Sequence, residues 1–428
     1  MLARPRLHRA LAWLALGLAC AATPVHAQSG AGPGDPAQGA IHVYQQHLSA
    51  MRHMHCRFVP SCSQYASDAI ARYGLVEGSA RAADRLMRCN PSSDRRYRRG
   101  SDGLLVDPVD GVPHGPTTAR VPGWLVLEPD HVPPPRSAAL TSERRVRLDE
   151  AVEFAELLVQ RGDCERASAE FQRAGMLADT VAAQAWAYAR LAHCYFGASQ
   201  WYFADRAYLT SAMLMRDTRA RADVGYAAAM SRFDAAGYRE CASLLLDPAL
   251  TASADAPASE SPVRFAASVG PAPLAPVERV AALSGLCAFA LGDWKAAERG
   301  FEQARAASPS PERRQRLATL AEAAGRGPAL PRRSAGLAGA LSALLPGAGQ
   351  AYCGRPLDGV RHLIFNTALI YTVATIARHD DVPAAVIVGS VALPFYLGNV
   401  IGAKESARAF DRTHRMRLLV QGIEASSR

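Results

Sequence analysis

The side chains of widest chemical range in this 428-residue chain are Cys56, Cys62 and Cys89, with His53 and His55 just before the first. Thiolates bind soft metals, pair as disulfides or act as nucleophiles. The order His-x-His-Cys-x5-Cys lacks the paired short spacings of structural zinc sites. The expectation is therefore a disulfide within the three cysteines and no metal, with a metal site and unpaired packing as alternatives. A reduced Cys62 at a helix N-terminus would be a reactive thiol. No Ser-His-Asp order, Walker loop, dinucleotide fingerprint or metalloprotease helix occurs, and Asp107 and Asp110 read as a turn. Neither an enzyme nor a cofactor is expected.

The elements around these sulfurs must bring them together. Ser61-Cys62-Ser63-Gln64 after Pro60 is a capping box: the Ser61 hydroxyl takes the Gln64 amide proton while Gln64 reaches back. One helix is expected over about 62–73, ended by Gly74, and a second over about 77–89, with Val76, Ala80, Ala83 and Met87 on its packing face, stopped by Asn90-Pro91. Two helices of nearly equal length joined by a short turn pack antiparallel, each roughly 18–20 Å long. Cys62 and Cys89 then meet at one end, and the loop carrying Cys56 arrives there too.

Tyr44, Cys56-Arg57-Phe58, Pro60-Ser61-Cys62-Ser63-x-Tyr65-Ala66, Gly74, Gly78, Arg85-Leu86, Arg88-Cys89-x-Pro91 and Asp107-Pro108-Val109 resemble the YidD family of membrane-protein insertion efficiency factors, over about 70 of 428 residues. The resemblance implies a non-catalytic helper of inner-membrane protein insertion, whose partners are lipids and client proteins or insertion machinery. Two features depart from it: a basic insert from Ser92 to Val106, and an export signal on what is otherwise a small cytoplasmic-face protein. Ile41, Tyr44, Leu48 and Met51 form a stripe suited to a helix lying on lipid or to a core. Arg57, Phe58, Arg95 and Arg96 complete the expected lipid- or partner-contact set.

The net charge of +9 suits an anionic partner, and without a binding motif nucleic acid is not expected. The cluster at 95–99 reads as a solvated loop or, functionally, a site for anionic headgroups. Residues 1–27 have the charged, apolar and small-residue order of a secretory signal. Residues 28–333 are thus expected in the periplasm, where the eight cysteines after Cys20 favour disulfides.

The fold class expected is all-α. A YidD-like domain (38–111) and a Pro-rich linker (112–141) precede tetratricopeptide-like repeats (142–326), interrupted by a disordered insertion (251–276). Gly162-Asp163-Cys164 and Gly292-Asp293-Trp294 open similar helices, and stacking predicts Cys164–Cys194 and Cys241–Cys287 disulfides. A transmembrane domain (334–404) and a basic cytoplasmic tail (405–428) follow. Its apolar runs 335–352, 363–377 and 382–403 predict three crossings, with a two-crossing hairpin as the alternative. Pro346-Gly347-Ala348-Gly349-Gln350 predicts a sharp turn whose freed carbonyls Gln350 satisfies. The alternative function is a periplasmic scaffold whose repeats bind an envelope protein, the YidD-like domain being structural only.

Overall fold

The computed structural model describes residues 41, 56–99, 103–109, 118–129, 141–248, 265–267 and 274–427. The signal 1–27, and Tyr44, Leu48, Met51, His53 and His55, lie outside the described residues. Among the described residues the chain is almost wholly helical, as the sequence predicts, with a few strands of two or three residues. It forms two compact units, residues 1–113 with 333–408 and residues 114–332 with 409–428.

In the first unit, β1 (Phe58–Val59) pairs parallel with β2 (Leu105–Val106). Helix α1 (Cys62–Arg88) is broken at Gly74, where φ is 77° and ψ 173°. Glycine alone adopts that conformation without a Cβ clash. The chain there folds back so tightly that a Cβ on Gly78 would lie 2.5 Å from the Ile70 Cα. The two arms therefore touch backbone to backbone, as the expected hairpin requires. The second arm starts directly after Gly74, and Val76 is exposed at 67%, so it does not join the packing face.

The C-terminal part of this unit comprises α11 (Ala335–Leu344), α12 (Ala348–Tyr352), α13 (Pro356–Arg378) and α14 (Val382–Ser426); the helices α2 to α10 between them belong to the other unit. The first apolar run is not one continuous helix: it breaks at Leu345-Pro346-Gly347, where Gly347 takes φ 86°. A Cβ on Gly347 would come within 1.9 Å of the Gly359 carbonyl, and one on Gly349 within 2.0 Å of the Ala338 carbonyl. Two helices among the described residues, α13 and α14, are long and apolar enough to cross a membrane. Their Phe365 and Phe395 rings lie 4.8 Å apart. Among the described residues the helices of that length thus number two, as in the hairpin alternative, against three apolar runs in the sequence.

The second unit stacks α2 (Ser142–Gln160), α3 (Cys164–Leu177), α4 (Val181–Gly197), α5 (Trp201–Leu214), α6 (Thr218–Asp234), α7 (Tyr238–Leu245), α8 (Pro276–Leu291), α9 (Trp294–Ala307) and α10 (Pro311–Gly325), each packed on the next. The turn inside each pair carries a left-handed residue: Gly162, Ser199, Ala236 and Gly292. The first three recur every 37 residues (199 − 162 and 236 − 199). Asp163 and Asp293 then cap the following helices by accepting the Arg166 and Ala296 amides. Phe171, Phe233 and Phe301 fill the grooves, and α8 meets α9 at Gly285 and Gly300, where either Cβ would intrude.

Two segments differ from expectation. Residues 265–267, inside the expected disordered insertion, form β4 (Phe265–Ala267), antiparallel to β3 (Leu127–Pro129) from the expected irregular linker. The basic end of the chain is not a free tail: α14 runs on to Ser426, and Met416 and Leu419 enter the hydrophobic core of the stacked helices.

Candidate functional site

Cys62 opens α1, Cys89 closes it and Cys56 lies in the segment before β1, so the Gly74 fold-back sets all three sulfurs within 4.8 Å of one another. The Cys56 and Cys62 sulfurs are 3.4 Å apart, and the Cys62 amide donates to Cys56 Sγ at 3.3 Å. All three thiols are free and half-buried. The sulfur–sulfur hydrogen bond with Cys62, outweighing burial, holds the Cys56 thiol down to about 5. The same bond, joined by burial, pushes the Cys62 thiol up. The two thiols are thus shifted apart, Cys56 downward and Cys62 upward, where the expectation for a reduced Cys62 at the helix N-terminus was a lowered pKa.

Beneath the sulfurs lies a buried charge network. Arg85 is wholly buried, donating to Asp107 Oδ2 at 2.5 Å and to the Pro60 carbonyl at 2.9 Å, with its guanidinium 3.8 Å from the Phe58 ring centroid. Arg88 reaches the same Asp107 oxygen at 2.7 Å and Asp84 at 2.7 Å, and also Tyr97. Asp107 is therefore the shared counter-ion of the second helical arm, not only the turn residue its Asp-Pro context suggests. Burial pushes the Tyr65 phenol, packed by Arg85, up to about 12.

The hairpin is seated on the ends of the apolar helices. Arg96 pairs with Asp358, and Arg361 donates to Asn90 at 2.9 Å, both at the start of α13. On α14, Gly398 and Gly402 face α1, where added Cβ atoms would lie 2.5 Å from the Ala80 carbonyl and 1.9 Å from Asp84 Oδ1. Gly398-x-x-x-Gly402 is the small-residue spacing that lets helices approach closely. Next to it, Asn399 takes the Gly347 amide at 2.9 Å and gives to the Ser342 carbonyl at 2.8 Å. Gln350 instead donates to the Asn399 carbonyl and accepts from Ser342, correcting its expected role. Large apolar side chains on α13 and α14, including Ile364, Tyr371 and Ile387, are exposed.

The expected contact residues divide. Phe58 is a core residue at 1% exposure, which removes it from any contact surface. Arg57 pairs with Asp94 at 2.6 Å, Arg96 is taken up by Asp358, and Arg95 is exposed; the basic insert is thus only partly solvated. Ile41 is helical and half-buried. Ser61 caps α1 through the Gln64 amide at 3.3 Å, yet Gln64 bonds forward to Asp68, so the box closes on one side only. Ser63 lies 3.2 Å from the Ser61 hydroxyl, Pro60 supplies the carbonyl for Arg85, Pro91 follows Cys89 in an exposed turn, and Pro108 is half-buried.

In the second unit, Cys164 lies beside Cys194 and Cys241 beside Cys287, so the expected partners are neighbours, present as free thiols. Sequence reasoning missed Leu75 and Val76, apolar and exposed at the hairpin tip, and Gly398 and Gly402. The four-residue glycine spacing was the available signal for the second pair.

Comparison with known proteins places this geometry. The family model YidD, "Putative membrane protein insertion efficiency factor", matches residues 35–99. Relatives of that name include one from Clostridium beijerinckii, 55% identical over 51 residues that make up 12% of this chain and 74% of the relative. One from Moorella thermoacetica is 50% identical over 52 residues, 12% of this chain and 74% of the relative. A third, from Thermoanaerobacter pseudethanolicus, is 44% identical over 57 residues, 13% of this chain and 83% of the relative. No solved structure matches the chain. Through residues 35–99, which carry the cysteine-cornered hairpin, this chain belongs to the YidD family.

Proposed function

We propose that the chain is a membrane-anchored, non-catalytic factor that assists insertion or assembly of inner-membrane proteins. The observation that carries this is the seating of the YidD-like hairpin on the polar ends of the two apolar helices, through Arg96–Asp358, Arg361–Asn90 and the Gly398/Gly402 approach. Such seating holds the hairpin at the lipid surface and leaves Leu75 and Val76 uncovered at its tip. An exposed apolar tip beside a bilayer suits a client segment passing from water into lipid. The relatives' name supports the same reading at the level of this domain. The helices of residues 142–325 act in this reading as tetratricopeptide-like repeats whose surface recruits a protein partner.

Two crossings return the chain to the face it left, so residues beyond Gly398 share the compartment of the hairpin. The export signal of residues 1–27 sets that face in the periplasm, the first apolar segment usually dominating orientation. Arg355, Arg361, Lys404 and Arg408 on that face pull the other way. Reporters fused after Gly100 and after Arg428 should report the same side, and opposite sides would overturn the hairpin topology.

The functional test places a photo-reactive residue at Val76 of the full chain. Expected adducts are membrane proteins still being synthesised, and Val76→Glu should slow their insertion severalfold. Adducts confined to finished envelope proteins, lost when residues 142–326 are deleted, would replace this reading with the scaffold alternative.

A further inference from the structure

The three sulfurs at the open end of the hairpin have a spacing the family assignment does not explain. We propose that Cys56, Cys62 and Cys89 bind one thiophilic d10 metal ion, Zn2+ or Cu+, as a three-thiolate site that locks the two arms of α1 to the segment before β1. This inference stands independently of the insertion reading.

Four observations carry it. Metal–thiolate bonds are about 2.3 Å, so three sulfurs around one ion lie roughly 4 Å apart, whereas a disulfide needs about 2 Å. Here Cys56 and Cys62 are 3.4 Å apart and the whole set fits within 4.8 Å. Second, the number is odd. One disulfide would leave a third thiol against it, while one ion uses all three.

Third, the backbone around the sulfurs suits thiolates. The Cys62 amide donates to Cys56 Sγ at 3.3 Å, and Cys62 sits at the start of a helix, where the dipole favours negative charge. Fourth, the ligands stand on a rigid frame: Phe58, Tyr97 and Leu105 form the small core against which Cys56 and Cys89 pack. The half-buried sulfurs still leave an ion a way in.

Binding is not a redox step. Each thiol that remains protonated gives its proton to solvent as its sulfur bonds the ion, so up to three protons are released per metal and no electron moves. Coordination open beyond three thiolates is left to water or buffer for Zn2+, whereas Cu+ is content with three sulfurs.

The test uses the full chain in detergent, reduced and stripped of metal, with its six other cysteines (Cys20, Cys164, Cys194, Cys241, Cys287 and Cys353) replaced by alanine. Addition of Zn2+, and separately of Cu+, should leave about one equivalent bound after desalting, with acidification of a weakly buffered solution. Adding Cys62→Ser or Cys89→Ser should lower retained metal at least tenfold, while the helical circular dichroism of each variant reports its fold. No retained metal in the alanine-substituted parent would overturn the proposal. So would equal retention in the folded serine variants, or a Cys56–Cys62 disulfide mapped in protein isolated without reductant.

Discussion

In the YidD-like hairpin a fully buried arginine, Arg85, is held between Asp107 and the Phe58 ring, whereas the stacked helices of residues 142–325 close on alanines around Phe171, Phe233 and Phe301. The hairpin has little apolar volume: its own core cluster is Phe58, Tyr97 and Leu105, flanked by Cys56 and Cys89. Cohesion there rests on a few directional bonds and on glycines that bring backbones together. The repeat core runs continuously from Ala119 to Leu419, so each packed ring is one of many. Scarcity makes the hairpin specific, and redundancy makes the stack tolerant. The stack has buried ion pairs as well, such as Arg313–Glu278 at 2.7 Å, but set among apolar neighbours.

The sharpest way to break this contrast is Arg85→Ala, which leaves Asp107 buried with part of its pairing gone. Removing one partner of a buried pair costs about 3–5 kcal/mol. Hydrogen exchange should therefore speed across residues 58–107 and leave the repeat helices unchanged. Replacing both partners, Arg85→Met with Asp107→Leu, should recover most of the loss, since apolar substitutes for buried pairs are often neutral. Failure to recover would mean the network sets the hairpin's shape and not only its stability.

Phe301→Ala is the matched change in the stack, expected to cost about 3–4 kcal/mol from lost burial and the cavity left behind. Its exchange effect should spread over α8, α9 and α10 without reaching the hairpin. A local effect as confined as that of Arg85→Ala would erase the distinction drawn here.

A smaller effect is expected from Ser61→Ala, which removes the cap of α1 and costs about 1 kcal/mol. Because the Gln64 side chain turns to Asp68, Gln64→Ala should cost less than this, about 0.5 kcal/mol or below.

The smallest effect is one of reactivity. In metal-free, reduced protein, the lowered Cys56 thiol stays ionised as pH falls from about 8.5, the ordinary thiol range, and is protonated only through about 5. Cys56 alkylation, followed by peptide mapping, should hold near its plateau at mildly acidic pH and fall below about 5. Cys62, held protonated by its bond to Cys56 and by burial, should resist alkylation throughout that range.

Local chemistry was readable where one residue type has one structural use. Ser61 after Pro60 marked the helix start, Gly74 marked the fold-back, and from these the meeting of Cys56, Cys62 and Cys89 followed as geometry. The Gly162-Asp163 and Gly292-Asp293 turns announced the stacked pairs in the same way. Ser199 and Ala236 hold the equivalent left-handed positions with ordinary side chains, so no glycine marks those turns in the sequence.

What the chain's order of residues determined was the set of elements: helices, caps, turns and apolar runs, since each depends on neighbours within a few positions. The tertiary structure alone decided which polar groups those elements share. Asp107 reads as a turn until Arg85 and Arg88 arrive from the second helical arm, and Arg96 reads as a solvated charge until Asp358 meets it across 262 positions. The apolar run at 335–352 reads as a short span, and Asn399, reaching Gly347 and Ser342 from α14, helps hold its break. A buried charge or freed carbonyl is tolerated only when a partner reaches it, and partners distant in sequence are supplied by the fold.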